Sequence, residues 1–367
     1  RFVGNISLGD DITLETLREI YDVLVMAIGT PKDRELGIEG EGKFGVFGAQ
    51  TFVYWYNGHP EFRDAVPHLD IQNAIVIGNG NEALDVARVL LSTTDEMVDS
   101  DLVDHAGQMI FKSTLKQVRV VGRRGPEHAQ FSTKELSEFK DLSTAVTHTD
   151  PTVIPDHYES DDPKETKIAN NNLDLLRGYS LNKPDPAKRL LDLEFKLSPT
   201  HIIGEDVITG VRFEKNKIVD DKAIGTGEFV DYPCDLLVTC IGYELKNVGG
   251  LPVEKGIVKN EDGRVDEQLY VVGWAKRGPS GTIGTNRLDS QRVVDLIVED
   301  HCNGGDSAKS GARGLDRYCQ AHGIETVSFS DWEKINQAEQ QRAGDYSPRR
   351  KFVRKRDMLS LLREGQE

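Results

Sequence analysis

Short, mainly apolar runs recur along the chain and end in glycine. Tyr21–Ile28 leads into Gly29, Ala74–Ile77 into Gly78, Gln117–Val121 into Gly122, Cys234–Ile241 into Gly242, and Leu269–Val272 into Gly273. Short, mainly apolar runs closed by glycine predict buried strands, as in parallel sheets. After Gly80 the period changes. Ala83, Ala87, Leu90 and Leu91 fall at helical spacing, with Asp85 and Arg88 on other faces. The run Cys234–Gly242 repeats Tyr21–Gly29 almost residue for residue, which implies more than one nucleotide-binding sheet. The expected fold is α/β with two Rossmann-like dinucleotide-binding domains.

The stretch Ala74–Leu91 reads strand, glycine turn, helix, with Gly78, Gly80 and Ala83 spaced as G-x-G-x-x-A. That is the context a dinucleotide fingerprint requires. Gly78 allows the tight turn, Gly80 lets a pyrophosphate approach the backbone, and Ala83 lets helix and strand pack closely. Such turns also join strands to helices for purely structural reasons, so the next strand matters. It ends in Arg123-Arg124-Gly125-Pro126. Where an NAD site has an acidic residue for the ribose 2′-hydroxyl, arginine suits a 2′-phosphate, whose oxygens its planar fork binds in pairs. Glycine turn and arginine pair together favour NADP. The interval between them exceeds the usual ~20 residues, so Ser92–Lys116 must be an insertion or a second helix.

The remaining pattern is less regular. Thr149–Lys164 is a Pro- and Asp-rich connection. Asn170–Leu181 and Pro186–Leu197 have patchy periodicity, and residues 200–230 predict a small antiparallel sheet appended to the second domain. Helical patterns follow at Arg287–Val298, Asp331–Gln341 and Asp357–Arg363.

At 367 residues there is chain for two or three domains, and no apolar run reaches the ~18 residues of a membrane span. No signal peptide is read at the start. The net charge of −16 argues against general nucleic-acid binding. Cys234, Cys240, Cys302 and Cys319 form no C-x-x-C, and the nine histidines show no metal-binding spacing, so disulfide redox chemistry and a metal site are not expected.

Four stretches carry a family resemblance: Ile77–Arg88, Val121–Pro126 with Phe131–Leu136, Gly242-Tyr243, and Val272–Asn286. Phe52–Pro60 adds to them. Through these the sequence resembles the adrenodoxin reductase and bacterial ferredoxin–NADP reductase family of flavoproteins, over nearly its whole length. The resemblance implies an FAD domain of residues 1–34 and 241–367, interrupted by an NADP-binding domain of residues 35–240. It implies hydride transfer from NADPH to FAD, then single electrons to a ferredoxin-like iron–sulfur protein. By motif, Gly80 and Asn81 fall at the NADP pyrophosphate with Gly78 in the turn before them, Arg123 and Arg124 at the 2′-phosphate, and Glu135 also on NADP. Glu138 matches a polar residue near the nicotinamide and is the candidate catalytic group. Gly273, Trp274, Gly281, Thr282 and Ile283 match the stretch lining the flavin and its ribityl chain.

Two departures stand out. Glu82 occupies a position that is small and apolar in the family pattern. A carboxylate there suits the helix dipole but repels a pyrophosphate it faces, so Glu82 is expected to point away or to weaken NADP binding. The chain also begins after the family's own first glycine turn, so truncation by about one βαβ unit is expected. That leaves two competing readings: another NADPH-to-flavin electron-input module, or an NADP-binding fragment without catalysis. A monomer is expected, cytoplasmic or in the mitochondrial matrix. Lys188-Arg189 and Arg349–Arg356 are the candidate basic docking surfaces for an acidic partner.

Overall fold

The computed structural model describes residues 1–281, 283–302, 307–343 and 347–364. They form two compact units: Arg1–Arg34 with Gly242–Gln337, and Glu35–Ile241 with Ala338–Glu367. This differs from the expected division, which kept residues 241–367 together with 1–34. The C-terminal segment stays with the second unit because its basic run meets that unit's acids. Arg350 pairs with Asp104, Arg349 and Lys351 with Asp101, and Arg354 with Asp64. Lys351 also donates to the Asn57 carbonyl, and the Phe352 N–H donates to the buried Glu339 carboxylate at 2.9 Å. The run expected as a docking surface is thus largely engaged within its own unit.

The second unit is built on an all-parallel six-stranded sheet. Its order is Val46–Gly48, Leu236–Thr239, Asn73–Ile77, Gln117–Val121, Arg189–Glu194, Ala145–His148. The fingerprint strand Asn73–Ile77 lies inside it, so both faces of the strand are covered. Ala74 and Val76 pack with Phe52, Trp55, Ala83 and Ala87 on the helical side. Ile75 and Ile77 pack with Ile202, Val211 and Phe213 on the other. That second cover is the expected antiparallel sheet, of three strands: Leu197–Ile203, Gly210–Val219 and Lys222–Pro233. The segment Ser92–Lys116 contains the helix Asp104–Phe111. The patchy 170–181 stretch proves to be the end of an 18-residue helix, Pro163–Ser180, capped by Asp162.

The first unit holds a parallel pair, Leu24–Met26 against Leu269–Val271. Leu14, Leu24, Met26, Leu245, Val258, Leu269 and Val271 form its core. Both strands run out into glycines with left-handed φ, Gly29 at 63° and Gly273 at 66°. The helix Ile283–His301 follows in sequence. Among the described residues no helix is long and apolar enough to cross a membrane.

Candidate functional site

The fingerprint turn is fixed from both sides. Gly78 donates its N–H to the Val121 carbonyl at 2.9 Å, and Cys240 donates to the Ile77 carbonyl at 2.7 Å. Gly78 holds φ 146°, and a Cβ there would collide with the Cys240 carbonyl, so glycine is required by close approach of the neighbouring strand. Gly80 is different. It is the N-cap of the helix Asn81–Leu91, at φ −107°, and a Cβ would meet nothing within 4 Å. Open space in front of a helix N-terminus leaves backbone N–H groups and the positive end of the dipole to an anion. Ala83 is fully buried against the sheet, as its size requires.

Arg123 and Arg124 follow Gln117–Val121 at the carboxyl edge of the sheet. Among the described residues neither guanidinium has an ion pair or side-chain hydrogen bond. Their carbonyls accept instead, from Asn216 at 2.8 Å and from the Lys196 N–H at 3.0 Å, which ties the turn to the antiparallel cover. At Gly122 the Asn79 side chain occupies the place of a Cβ. Asn79 therefore belongs to this corner, although the sequence reading passed over it.

The short helix Thr133–Ser137 carries Glu135 and leads into Glu138. Its N-cap Ser132 accepts from the Glu135 N–H at 3.2 Å, the first half of a capping box. In the second half the glutamate would reach back to the Ser132 N–H. Here Asn81 Oδ1 takes that N–H at 2.7 Å instead. Among the described residues no hydrogen bond reaches the Glu135 carboxylate, whose charge acts on the neighbouring Arg88.

Glu138 is held at the other end. Arg88 Nη1 lies 3.0 Å from Glu138 Oε2. The other arm of Arg88 pairs with Asp85, and Asp85 accepts from the Tyr56 hydroxyl at 3.1 Å. Burial works against the Arg88 charge, but Asp85 and Glu138 more than offset it and raise its affinity for the proton. Burial, with the charges of Asp85 and Glu82, pushes the Tyr56 hydroxyl far up, so it remains a donor. Glu82 is half-buried and adds its charge to the Tyr56 side of the helix.

In the first unit Gly273 adopts φ 66°, ψ −141°, and its N–H donates to Asp289 at 2.9 Å. Burial pushes the Asp289 carboxyl up, but the Lys276 ammonium at 2.9 Å and the Gly273 N–H outweigh it and hold the group below the usual range. Trp274 stacks on Tyr243 with ring centroids 6.0 Å apart. Gly281 is exposed at φ 79°, and Ile283 is 89 % exposed at the start of its helix. Thr282 lies outside the described residues. The structure thus gathers Gly78, Gly80, Asn81, Glu82, Arg123, Arg124, Glu135 and Glu138 in one unit, and Gly273, Trp274, Gly281 and Ile283 in the other.

No profile of a known protein family matches the chain. Individual relatives do. The mitochondrial NADPH:adrenodoxin oxidoreductase of Arabidopsis thaliana is 36 % identical over 391 residues, covering 98 % of this chain and 80 % of the relative. The NADPH-ferredoxin reductase FprA of Mycobacterium tuberculosis is 36 % identical over 380 residues, covering all of this chain and 83 % of the relative. A solved structure of Mycobacterium tuberculosis FprA in complex with NADPH superposes with a TM-score of 0.93 at 34 % identity, covering 100 % of this chain and 84 % of that one. With a glycine turn, an unpaired arginine pair and two glycine-ended strand sets already in place, these likenesses settle the family: the chain belongs to the NADPH:adrenodoxin oxidoreductases and NADPH-ferredoxin reductases.

Proposed function

We propose that this chain works as an NADPH-dependent, FAD-containing reductase that delivers electrons to a ferredoxin-like iron–sulfur protein. The observation that carries the NADP part is the unpaired Arg123 and Arg124 beside a helix N-terminus with open space at Gly80. Two cations without carboxylate partners, in a chain of net charge −16, suit a doubly charged 2′-phosphate. Gly80 and Asn81 receive the pyrophosphate, and Gly78 shapes the turn that presents them. Glu135 contacts NADP with its carboxylate, and Glu138 faces the nicotinamide half. Glu82 tunes the field around Tyr56 and does not bind phosphate.

FAD fits the first unit, where Gly29 and Gly273 end parallel strands in conformations that bring backbone close to a ligand. Trp274, Gly281 and the exposed Ile283 line the flavin, with Thr282 between them in sequence. Bound FAD supplies the exchange between a two-electron donor and one-electron acceptors. The chain's own residues orient NADPH, exclude NADH through the arginine pair, and fix the backbone that meets the flavin. The family's acidic iron–sulfur partners leave Lys188, exposed and unpaired among the described residues, as the remaining basic candidate from the sequence. Arg189 is committed to the Leu90 carbonyl at 3.1 Å. We assign a monomer as the working unit.

The test is the visible spectrum of the purified chain after incubation with FAD and gel filtration. A retained flavin band, bleached by NADPH in preference to NADH, is the expected result. A colourless protein that still binds NADPH would limit the reading to the second unit. Binding of neither cofactor would overturn it.

A further inference from the structure

The residues between the pyrophosphate turn and Glu138 form a connected device. Asn81 and Arg88 sit seven residues apart on one helix, two turns along the same face. Asn81 takes the Ser132 N–H at one end of the helix Thr133–Ser137. Arg88 takes the Glu138 carboxylate at the other. The fingerprint helix thus grips this short helix at both ends. A five-residue helix has too few internal hydrogen bonds to fix its own direction, so the clamp orients Glu138, while the Tyr179 hydroxyl, donating to the Leu136 carbonyl at 2.8 Å, holds the helix from its other side. Arg88 is in turn oriented by Asp85, and Asp85 by the Tyr56 hydroxyl.

We propose that Arg88 is a positioning residue, which holds the Glu138 carboxylate at the nicotinamide half of the NADP site through the Tyr56–Asp85–Arg88 chain. This rests on the assignment of Glu138 to that half. The guanidinium is only half-exposed and has two carboxylates on its two arms, so its bond to Glu138 is charge-assisted and directional. The other titratable groups facing this contact are Glu135, from the clamped helix, and Glu82, on the Tyr56 side. Neither Glu138 nor any of the three residues Tyr56, Asp85 and Arg88 lies on the glycine turn itself, so the effect is separable from phosphate binding.

The test measures binding and needs no flavin. Dissociation constants of NADP+ and of 2′,5′-ADP, which lacks the nicotinamide half, are measured by titration for the full chain and its variants. Arg88→Gln is expected to weaken NADP+ about fivefold relative to 2′,5′-ADP, the size of one ordinary net hydrogen bond. Arg88→Lys is expected to recover most of the loss, because the charge and one donor remain. In a Glu138→Gln background the Arg88→Gln effect should shrink below about twofold, since coupled residues are not additive.

If Glu138→Gln leaves the ratio of the two constants unchanged, the assignment of Glu138 fails and the positioning role falls with it. If Glu138→Gln changes the ratio but Arg88→Gln acts equally in both backgrounds, the assignment stands and the positioning role is overturned. Tighter NADP+ binding in Arg88→Gln would also overturn it, as a mere loss of a repelling charge. Should Arg88→Gln fail to show a cooperative thermal transition, Asp85→Asn enters the same cycle with Glu138→Gln, under the same criteria.

Discussion

Gly78 and Cys240 interlock. The Cys240 N–H bonds to the Ile77 carbonyl at 2.7 Å, and this draws the Cys240 carbonyl into the space a Gly78 side chain would need. Glycine at 78 is therefore a packing requirement of the sheet, whereas glycine at 80 is left open toward a ligand. The two positions should respond differently to the same change. Gly78→Ala is expected to cost about 3 kcal/mol or more, from a backbone collision and a positive φ. Gly80→Ala should leave stability within about 1 kcal/mol and weaken NADPH binding. Denaturant unfolding and NADPH titration of both variants check this, and equal stability loss in both would refute the distinction.

Arg123 and Arg124 should discriminate between the two nicotinamide cofactors. Each replaced by alanine is expected to weaken NADPH by about tenfold to a hundredfold, the value of charge-assisted hydrogen bonds to a phosphate. NADH binding should not change, because it lacks the 2′-phosphate. A parallel loss for NADH would mean that the pair shapes the fold and does not read the phosphate.

The C-terminal run is expected to act on stability more than on partner binding. Glu339 is 8 % exposed and receives the Phe352 N–H, while its own carbonyl takes the Arg350 N–H at 2.9 Å. Glu339→Ala should destabilise by about 2 kcal/mol, through the unpaired Phe352 N–H and the lost ion pair of its carboxylate with Arg349 at 3.7 Å. The exposed Arg350→Ala should change stability by less than about 1 kcal/mol. Thermal unfolding of both variants gives the comparison.

His105 should make the second unit sensitive to mild acid. Burial and the Arg63 guanidinium hold its imidazole below the ordinary value of 6.5, against the pull of Asp104 and Asp64. The folded form therefore carries the neutral ring, while the unfolded chain gains a proton first as pH falls. Its contribution to stability is present above pH 6.5 and is lost as pH drops through the lowered folded value. The ring meets Trp55 edge-on at 6.0 Å, so His105→Phe keeps an aromatic in place. The slope of unfolding free energy between about pH 6.5 and 5 should be shallower in that variant. An unchanged slope would remove His105 from the account.

Much of the site was legible because its parts are local in sequence. Gly78, Gly80 and Ala83 lie within six consecutive residues, and strand, turn and helix follow from the switch between buried run and helical period. Arg123 and Arg124 follow their strand directly. What stayed hidden depends on contacts between distant segments. Nothing in the spacing pairs Arg88 with Glu138, fifty positions away, or Asn81 with the Ser132 N–H. The antiparallel cover starts earlier than the expected 200–230, because the strand Leu197–Ile203 is defined by its pairing with Gly210–Val219.

The amino-acid sequence by itself determined the local conformations and the charges they carry: a glycine turn ending a buried strand, a helix behind it, and two arginines on the next strand. Backbone sterics and hydrophobic period act over a few residues, so they can be read there. The tertiary structure decided which of these groups remain free. It ties Arg349–Arg354 to the acids of their own unit and locks Glu138 to Arg88. Among the described residues it leaves the guanidinium groups of Arg123 and Arg124 without an ion pair or side-chain hydrogen bond, and the Glu135 carboxylate with only the nearby charge of Arg88. Ion pairs and hydrogen bonds form between whatever the fold brings within about 3–4 Å, and that proximity exists only once the sheets and helices have packed.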